Sequence, residues 1–221
     1  MKIFFAHNSH NRPKTLKNTV KIEKDFFPDS ECFLSLTENG GIDQFYFSDL
    51  VNTKTYKTFG NTWQLGCVNS FYSLISKICE TEEDGIIIFS HDDVFMKDHN
   101  IVTSNINKMI DDDISFIVRR PSTFFGDNYY MMEVVYLRIS HIKEFFTPFN
   151  NSLFIHESSI TKDKNNTTSA EAWLHSKIGD SKNGLVIEYT HHGSSNEEIN
   201  NNLIHNLGYE HINLSKTGWR E

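Results

Sequence analysis

Short apolar runs alternate along this chain with longer segments in which apolar residues recur every three or four positions. The short runs predict β-strands, and the longer periodic segments predict α-helices. The predicted strands cover residues 2–6, 31–37, 85–90, 114–120, 128–140 and 185–189, with a weaker strand pattern within 47–61. The predicted helices cover residues 13–27, 62–79, 97–113, 141–147 and 169–180. Residues 150–168 are polar and predict an exposed loop.

The order of these elements indicates the fold class. Strands alternate with helices from the first residues to position 189, which predicts an α/β sandwich with a mostly parallel central sheet. Pro13 suits the first turn of a helix, where the missing N–H of proline is not needed, and Ser169 suits the N-cap of the last helix. A chain of 221 residues fits a single domain of this class.

Composition and charge exclude several classes of protein. No apolar run reaches the roughly 20 residues that a membrane span needs. The net charge of -8 argues against nucleic-acid binding, which depends on surplus lysine and arginine. Cys32, Cys67 and Cys79 lack the spacing of a metal site or disulfide framework, and the short apolar start does not fit a signal peptide. We therefore expect a cytoplasmic protein with reduced thiols.

The segment Gly85–Met96, "GIIIFSHDDVFM", places two adjacent carboxylates directly after a buried strand. Adjacent carboxylates repel each other and are costly to desolvate unless a cation or a proton lies between them. The loop after the first strand, residues 7–12, would open at the same edge of the sheet, where α/β proteins bind ligands. Mg2+ and Mn2+ prefer oxygen ligands and leave positions for phosphate oxygens. We expect Asp93 to bind such an ion and Asp92 to contact a ribose or a water-bridged position; alternatively, both carboxylates cap the next turn.

These two loops resemble those of nucleotide-sugar glycosyltransferases with the GT-A fold, particularly the family 2 type. In that family the first loop often carries an Asn-Arg pair, matched here by His10-Asn11-Arg12, and the resemblance implies that it cradles the nucleotide. The sequence from His91 to Val94 is similar to a variant of the family's acidic turn, in which histidine replaces the first acid. Asp93 then matches the metal-binding acid. The resemblance follows the order of elements over residues 1–187.

The resemblance implies a GT-A-like, Rossmann-like α/β/α sandwich formed by one domain over residues 1–221. Its nucleotide-binding half would span residues 1–95 and its acceptor-side half residues 96–193, followed by a polar C-terminal tail, residues 194–221. His7 and Asn8 lie where the family holds the base or ribose. Some GT-A enzymes complete the metal site with a late histidine, for which His191 and His192 are the candidates.

The family also uses an acidic catalytic base near a helix start, and Glu171 occupies the comparable position. A carboxylate there would deprotonate an acceptor hydroxyl and give inversion at the anomeric carbon. Glu157 and Asp163 are the other candidates, and Glu171 also suits the positive end of a helix dipole.

The resulting expectation is a metal-dependent glycosyltransferase that uses Mn2+ or Mg2+. It would move a sugar from a nucleoside diphosphate sugar to a glycan, polysaccharide or lipid-linked acceptor. Two alternatives stay open: a metal-dependent phosphohydrolase that activates water, and a noncatalytic module that binds nucleotide sugars.

Overall fold

The computed structural model describes residues 1–59, 63–121, 130–147, 169–179, 183–189 and 204–211. The strands are β1 (Ile3–Ser9), β2 (Glu31–Thr37), β3 (Thr53–Thr58), β4 (Ile86–His91), β5 (Val94–Met96), β6 (Phe116–Pro121), β7 (Met131–Arg138), β8 (Gly184–Tyr189) and β9 (Tyr209–His211). The α-helices are α1 (Pro13–Phe26), α2 (Trp63–Thr81), α3 (His99–Asp111), α4 (Ile139–Phe146) and α5 (Ala170–Ile178). Two short 3-10 helices, Glu38–Gly40 and Gln44–Phe47, connect β2 to β3.

The central sheet contains seven strands in the order β3-β2-β1-β4-β7-β6-β8. Strand β7 runs antiparallel to its neighbours β4 and β6, whereas every other adjacent pair is parallel. Strands β5 and β9 form a separate antiparallel pair. All strands of the central sheet except β7 therefore point in one direction, and the loops after β1 and β4 open at the same edge. We call this edge the carboxyl edge.

Each face of the sheet packs against its own layer of helices. Successive side chains of a strand point to opposite faces, so neighbouring residues of β1 and β4 enter different cores. Phe4 and Ile87 belong to the core formed with α2, α4 and α5. Phe5 and Ile88 belong to the core formed with α1 and α3. Burial on both faces explains why β1 and β4 read as nearly continuous apolar runs.

The predicted α/β sandwich with a mostly parallel sheet is confirmed, as are its main helices and strands. Pro13 opens α1, and the Ser169 hydroxyl oxygen accepts a hydrogen bond of 3.1 Å from the Ala172 amide at the start of α5. The weak pattern within residues 47–61 corresponds to β3, an edge strand of the sheet. None of the described helices is both long enough and apolar enough to cross a bilayer.

Two parts of the sequence prediction are wrong. Strand β1 continues through Ser9 instead of ending at residue 6, because polar residues 7–9 still pair with β2 and β4. The region predicted as a polar tail contains Ile204, Leu207 and Tyr209, which are fully buried, and it supplies strand β9. Strands of three residues, such as β5 and β9, are too short to show a periodic pattern.

The predicted loop at 150–168, with Glu157 and Asp163, lies outside the described residues.

We expect the three cysteine thiols to be unreactive in the folded protein. All three are buried, and burial raises the pKa of Cys67 and of Cys79 to about 12, while the pKa of Cys32 is raised further. Because thiolate is the reactive form, a colorimetric disulfide reagent at pH 8 should label no thiol before unfolding and all three in denaturant. Rapid labelling of one thiol in the native protein would contradict the burial described.

Candidate functional site

The acidic turn after β4 is held to the loop after β1 by the carboxylate of Asp92. The Ser9 hydroxyl donates a hydrogen bond of 2.6 Å to Asp92 Oδ2, and the His10 backbone N–H donates one of 3.3 Å to the same oxygen. Arg12 Nη1 lies 3.4 Å from the other oxygen, Oδ1. Burial raises the pKa of Asp92, whereas the Ser9 hydrogen bond and the Arg12 charge oppose that shift. Both oxygens of Asp92 are therefore already engaged within the protein.

The neighbouring carboxylate, Asp93, is less completely engaged. Its Oδ2 lies 3.8 Å from Arg12 Nη1, and its buried Oδ1 has no hydrogen-bond partner among the described residues. The Asp93 side chain is 37% exposed, compared with 14% for Asp92. A buried carboxylate oxygen without a donor is costly, so this atom is suited to accept an external ligand.

A divalent cation such as Mg2+ or Mn2+ fits this oxygen donor chemically. Within the described parts of the chain, no cluster of three or more His, Cys, Asp or Glu side chains is arranged to hold a metal ion. An ion at Asp93 would therefore take most of its ligands from a phosphate group and water. This is the usual pattern for Mg2+ at nucleotide sites, where one or two carboxylates suffice.

Glu171 lies in the first turn of α5, and its backbone carbonyl accepts a hydrogen bond of 3.2 Å from the amide of Tyr130, just before β7. Its side chain is buried, and the Ser169 hydroxyl donates a hydrogen bond of 3.2 Å to its Oε2. Burial raises the pKa of Cys67, and the negative charges of Glu171, Asp92 and Asp93 act in the same direction. The Cys67 thiol therefore lies in the electrostatic field of all three carboxylates.

Asn8 lies in the last part of β1, paired in register with His91. Its amide nitrogen Nδ2 is 3.7 Å from Cys67 Sγ, and its buried Oδ1 has no hydrogen-bond partner among the residues that the structure describes. Asn8 therefore presents a second unsatisfied oxygen near the acidic turn. Asn11 is exposed in the loop between β1 and α1, and Arg12, next to it, is the residue that contacts both aspartates.

His7 and His91 are both buried. The contact between His7 and the nucleotide stays a prediction; His7 is fully buried, and both of its ring nitrogens are engaged within the protein. Nδ1 lies 2.8 Å from Ser90 Oγ, and Nε2 lies 2.7 Å from Glu23 Oε2. His91 packs edge-on against Phe89, and burial lowers its pKa.

The structure adds a histidine that the sequence analysis missed. His211 of β9 pairs with Val94, and its ring forms a hydrogen bond with the backbone of Asp93. Its Nε2 lies 3.4 Å from Glu133 Oε1. Burial lowers the pKa of His211, and the negative charge of Asp93 opposes this shift. No local motif marks His211, since it reaches the site only through the pairing of β9 with β5.

Glu133 is in turn anchored by Arg119, a fully buried guanidinium on β6. The pairing of β6 with β7 is irregular between Ile117 and Arg119, which brings Arg119 opposite Met131. A β-bulge of this kind changes the direction in which a side chain points, and such bulges are common next to functional sites. A chain of ionisable groups thus runs from Arg119 through Glu133 to the His211 ring beside Asp93.

The described structure therefore brings together four of the residues singled out from the sequence, namely Asn8, Arg12, Asp92 and Asp93. Asn11 borders them in the exposed loop. Glu171 lies beside Tyr130, where β7 begins. His191 and His192 lie outside the described residues, so their assignment as metal ligands stays a prediction.

No protein-family model matches the sequence, and no curated protein matches it either. Solved structures do match the fold. A glycosyltransferase involved in glycosylation of the major capsid of PBCV-1 aligns with a TM-score of 0.54 at 10% identity, covering 96% of this chain and 93% of that one. A 4-diphosphocytidyl-2C-methyl-D-erythritol synthase aligns with a TM-score of 0.51 at 11% identity, covering 85% and 88%.

A mannosyltransferase from Pyrobaculum calidifontis, solved in complex with GDP-Man and Mn2+, aligns with a TM-score of 0.50 at 7% identity. The match covers 89% of this chain and 59% of the mannosyltransferase. At these identities the similarity concerns the fold. It confirms the GT-A-like, Rossmann-like α/β/α sandwich expected from the sequence.

We expect Ser9→Ala to destabilise the protein, because the Asp92 carboxylate would lose its shortest hydrogen bond in a largely buried position. Removing one partner of a buried polar group costs about 1–3 kcal/mol. The free energy of unfolding in urea measures the loss, and Ser48→Ala, at an exposed position, is the matched control. Equal midpoints for the two variants would contradict the role given to Ser9.

Proposed function

We propose that this protein is a metal-dependent glycosyltransferase that uses a nucleoside diphosphate sugar as donor. The observation that carries the proposal is the unsatisfied, buried Oδ1 of Asp93 at the carboxyl edge of a GT-A-like sheet. Both oxygens of the neighbouring Asp92 contact residues of the first loop region, Ser9 and Arg12, and hold it in place. One carboxylate is therefore structural, and the other is left to bind Mn2+ or Mg2+.

In this proposal Asn8, Asn11 and Arg12 bind the donor nucleotide. Asn8 offers its buried Oδ1 as a hydrogen-bond acceptor for a ribose hydroxyl. Arg12 is 29% exposed between the two aspartates, where its guanidinium balances their charge and reaches a phosphate oxygen. Asn11 lies next to Arg12 in the exposed loop.

Glu171 is the proposed catalytic base. Its carboxylate would take the proton from an acceptor hydroxyl whose oxygen forms the new bond to the anomeric carbon. The bond between that carbon and the phosphate oxygen breaks, and the nucleoside diphosphate leaves with the electron pair. A bound Mn2+ or Mg2+ supplies stabilisation of the negative charge that develops on the leaving diphosphate. Attack from the face opposite the leaving group gives inversion.

The late histidine of the metal site is proposed to be His211, whose ring already contacts the Asp93 backbone. Glu133 Oε1 lies 3.4 Å from the Nε2 atom of this ring. His191 and His192 stay as alternative candidates.

The acceptor is proposed to be a glycan, polysaccharide or lipid-linked sugar.

A second candidate is nucleotidyl transfer, favoured by the similarity to a synthase of a diphosphocytidyl product. That reaction would use a nucleoside triphosphate rather than a nucleotide sugar. Assays with CTP and with UDP, GDP and dTDP sugars separate the two. Release of pyrophosphate from CTP, without hydrolysis of any sugar donor, would favour the second candidate.

We expect Asp93→Asn to abolish the joint binding of Mn2+ and a nucleoside diphosphate. Ligand that binds the folded state raises the unfolding temperature, so the wild-type protein should gain stability with Mn2+ and UDP, GDP or dTDP together. The variant should lose this gain. Asp111→Asn, at an exposed position at the end of α3, should retain it. A gain that does not depend on metal would contradict the proposed mechanism.

We expect Glu171→Gln to lower kcat by roughly 100-fold or more, since a general base contributes about 10²–10⁴ to the rate. Donor KM should change little, because Glu171 acts on the acceptor hydroxyl. Glu144→Gln, an exposed glutamate of α4, is the matched control. A parallel loss of donor binding in Glu171→Gln, with kcat retained, would assign Glu171 to binding instead of proton transfer.

A further inference from the structure

The C-terminal residues 204–211, which we call the C-terminal strap, cross from α3 to the candidate site. Ile204, Leu207 and Tyr209 are fully buried in the core shared with α1 and α3. The Gly208 carbonyl accepts hydrogen bonds of 2.8 and 3.1 Å from the amides of Lys97 and Asp98. The strap is therefore an integral layer of the fold that ends beside the acidic turn.

Gly208 allows the close approach between the strap and α3. Its φ of +80° lies in the left-handed region that favours glycine. A Cβ at this position would lie 2.5 Å from Val102 Cγ2 and 2.8 Å from the Asp98 carbonyl oxygen. The backbone at this point is thus fixed against the start of α3.

A buried chain of polar groups fixes the next residue of the strap. The Tyr209 hydroxyl donates a hydrogen bond of 3.2 Å to Glu23 Oε1, and His7 Nε2 lies 2.7 Å from Glu23 Oε2. His7 Nδ1 is 2.8 Å from Ser90 Oγ. All four side chains are fully buried. A buried carboxylate needs such partners, so Glu23 links α1 to β1, β4 and β9.

The anchoring of Tyr209 constrains the position of His211, because both residues lie on the short strand β9. The two residues are two apart on β9, so their side chains point to the same face of the strand. The register pairs Tyr209 with Met96 and His211 with Val94, next to Asp93. A strand anchored at Tyr209 can therefore place the His211 ring against the Asp93 backbone. The steps of the proposed glycosyl transfer use neither Glu23 nor Tyr209.

We propose that Glu23 and Tyr209 are positioning residues that hold His211 beside Asp93, and thereby strengthen binding of a divalent cation with a nucleoside diphosphate. This inference rests on the proposed function, because it assigns the ligand of the same site. The buried hydrogen-bond chain acts at a distance from the ligand, through the strap. Loss of a residue that orients a metal ligand typically weakens metal affinity about 10- to 100-fold.

The test compares Tyr209→Phe, which removes only the hydroxyl, with His211→Ala and with the double variant. Binding of Mn2+ in the presence of UDP is followed by the electron paramagnetic resonance signal of free Mn2+. We expect Tyr209→Phe to weaken binding about tenfold. The double variant should bind no more weakly than His211→Ala, because the hydroxyl acts through His211. Effects of the two substitutions that add in the double variant would overturn the proposal.

Hydrogen exchange provides the second readout. In Tyr209→Phe the amides of residues 94–96 and 209–211 should exchange at least tenfold faster, while those of β1 and β4 keep their protection. Thr19→Val is the matched control, since it removes a buried hydroxyl of α1 whose hydrogen bond stays within that helix. It should change neither exchange in the strap nor Mn2+ binding. Equal acceleration throughout the sheet would show a general structural role and overturn the proposal.

The outcomes separate this inference from the proposed function. If the wild-type protein fails to bind Mn2+ with UDP, GDP or dTDP, the proposed function is overturned, and the positioning role with it. If the wild-type protein binds and Tyr209→Phe binds equally well, only the positioning role is overturned.

Discussion

Two adjacent carboxylates at the end of a buried strand carry a desolvation cost, and this cost explains the contacts at the carboxyl edge. Asp92 is stabilised from within, by the Ser9 hydroxyl, the His10 amide and Arg12, and these contacts fix the loop after β1. Asp93 has no comparable set of donors among the described residues. The fold thus compensates the desolvation of Asp92 internally and leaves that of Asp93 Oδ1 uncompensated, which is the physical basis of the proposed binding site.

Two buried ion pairs deeper in the described structure follow the same rule, because each joins residues of different elements. Arg119 of β6 pairs with Glu133 of β7, and Glu23 of α1 pairs with His7 of β1. Both pairs connect to strand β9, through His211 and Tyr209. Buried polar pairs often fix one arrangement among several rather than add stability. Here they fix the C-terminal strap against the carboxyl edge.

The similarity of fold to two glycosyltransferases and to a synthase limits what architecture alone can tell about activity. The same sheet supports different reactions, so function has to be argued from the side chains at the carboxyl edge. In this chain the contrast between Asp92 and Asp93 and the burial of Glu171 at the start of α5 support the proposed activity. Family resemblance pointed to these residues, and their contacts supply the physical reason for distinct roles.

The sequence by itself determined the α/β class, the main helices and strands, and the acidic turn, because apolar periodicity and strand-end chemistry are local properties. It did not show that Ser9 and Arg12 engage Asp92 while Asp93 Oδ1 has no partner among the described residues, since Ser9 and Arg12 come from a distant segment. It also placed His7 in a loop, whereas β1 continues through Ser9 and buries the His7 side chain. His211 became part of the site only through the pairing of β9 with β5. Contacts between residues far apart in the chain depend on topology and packing, and only the tertiary structure decided them.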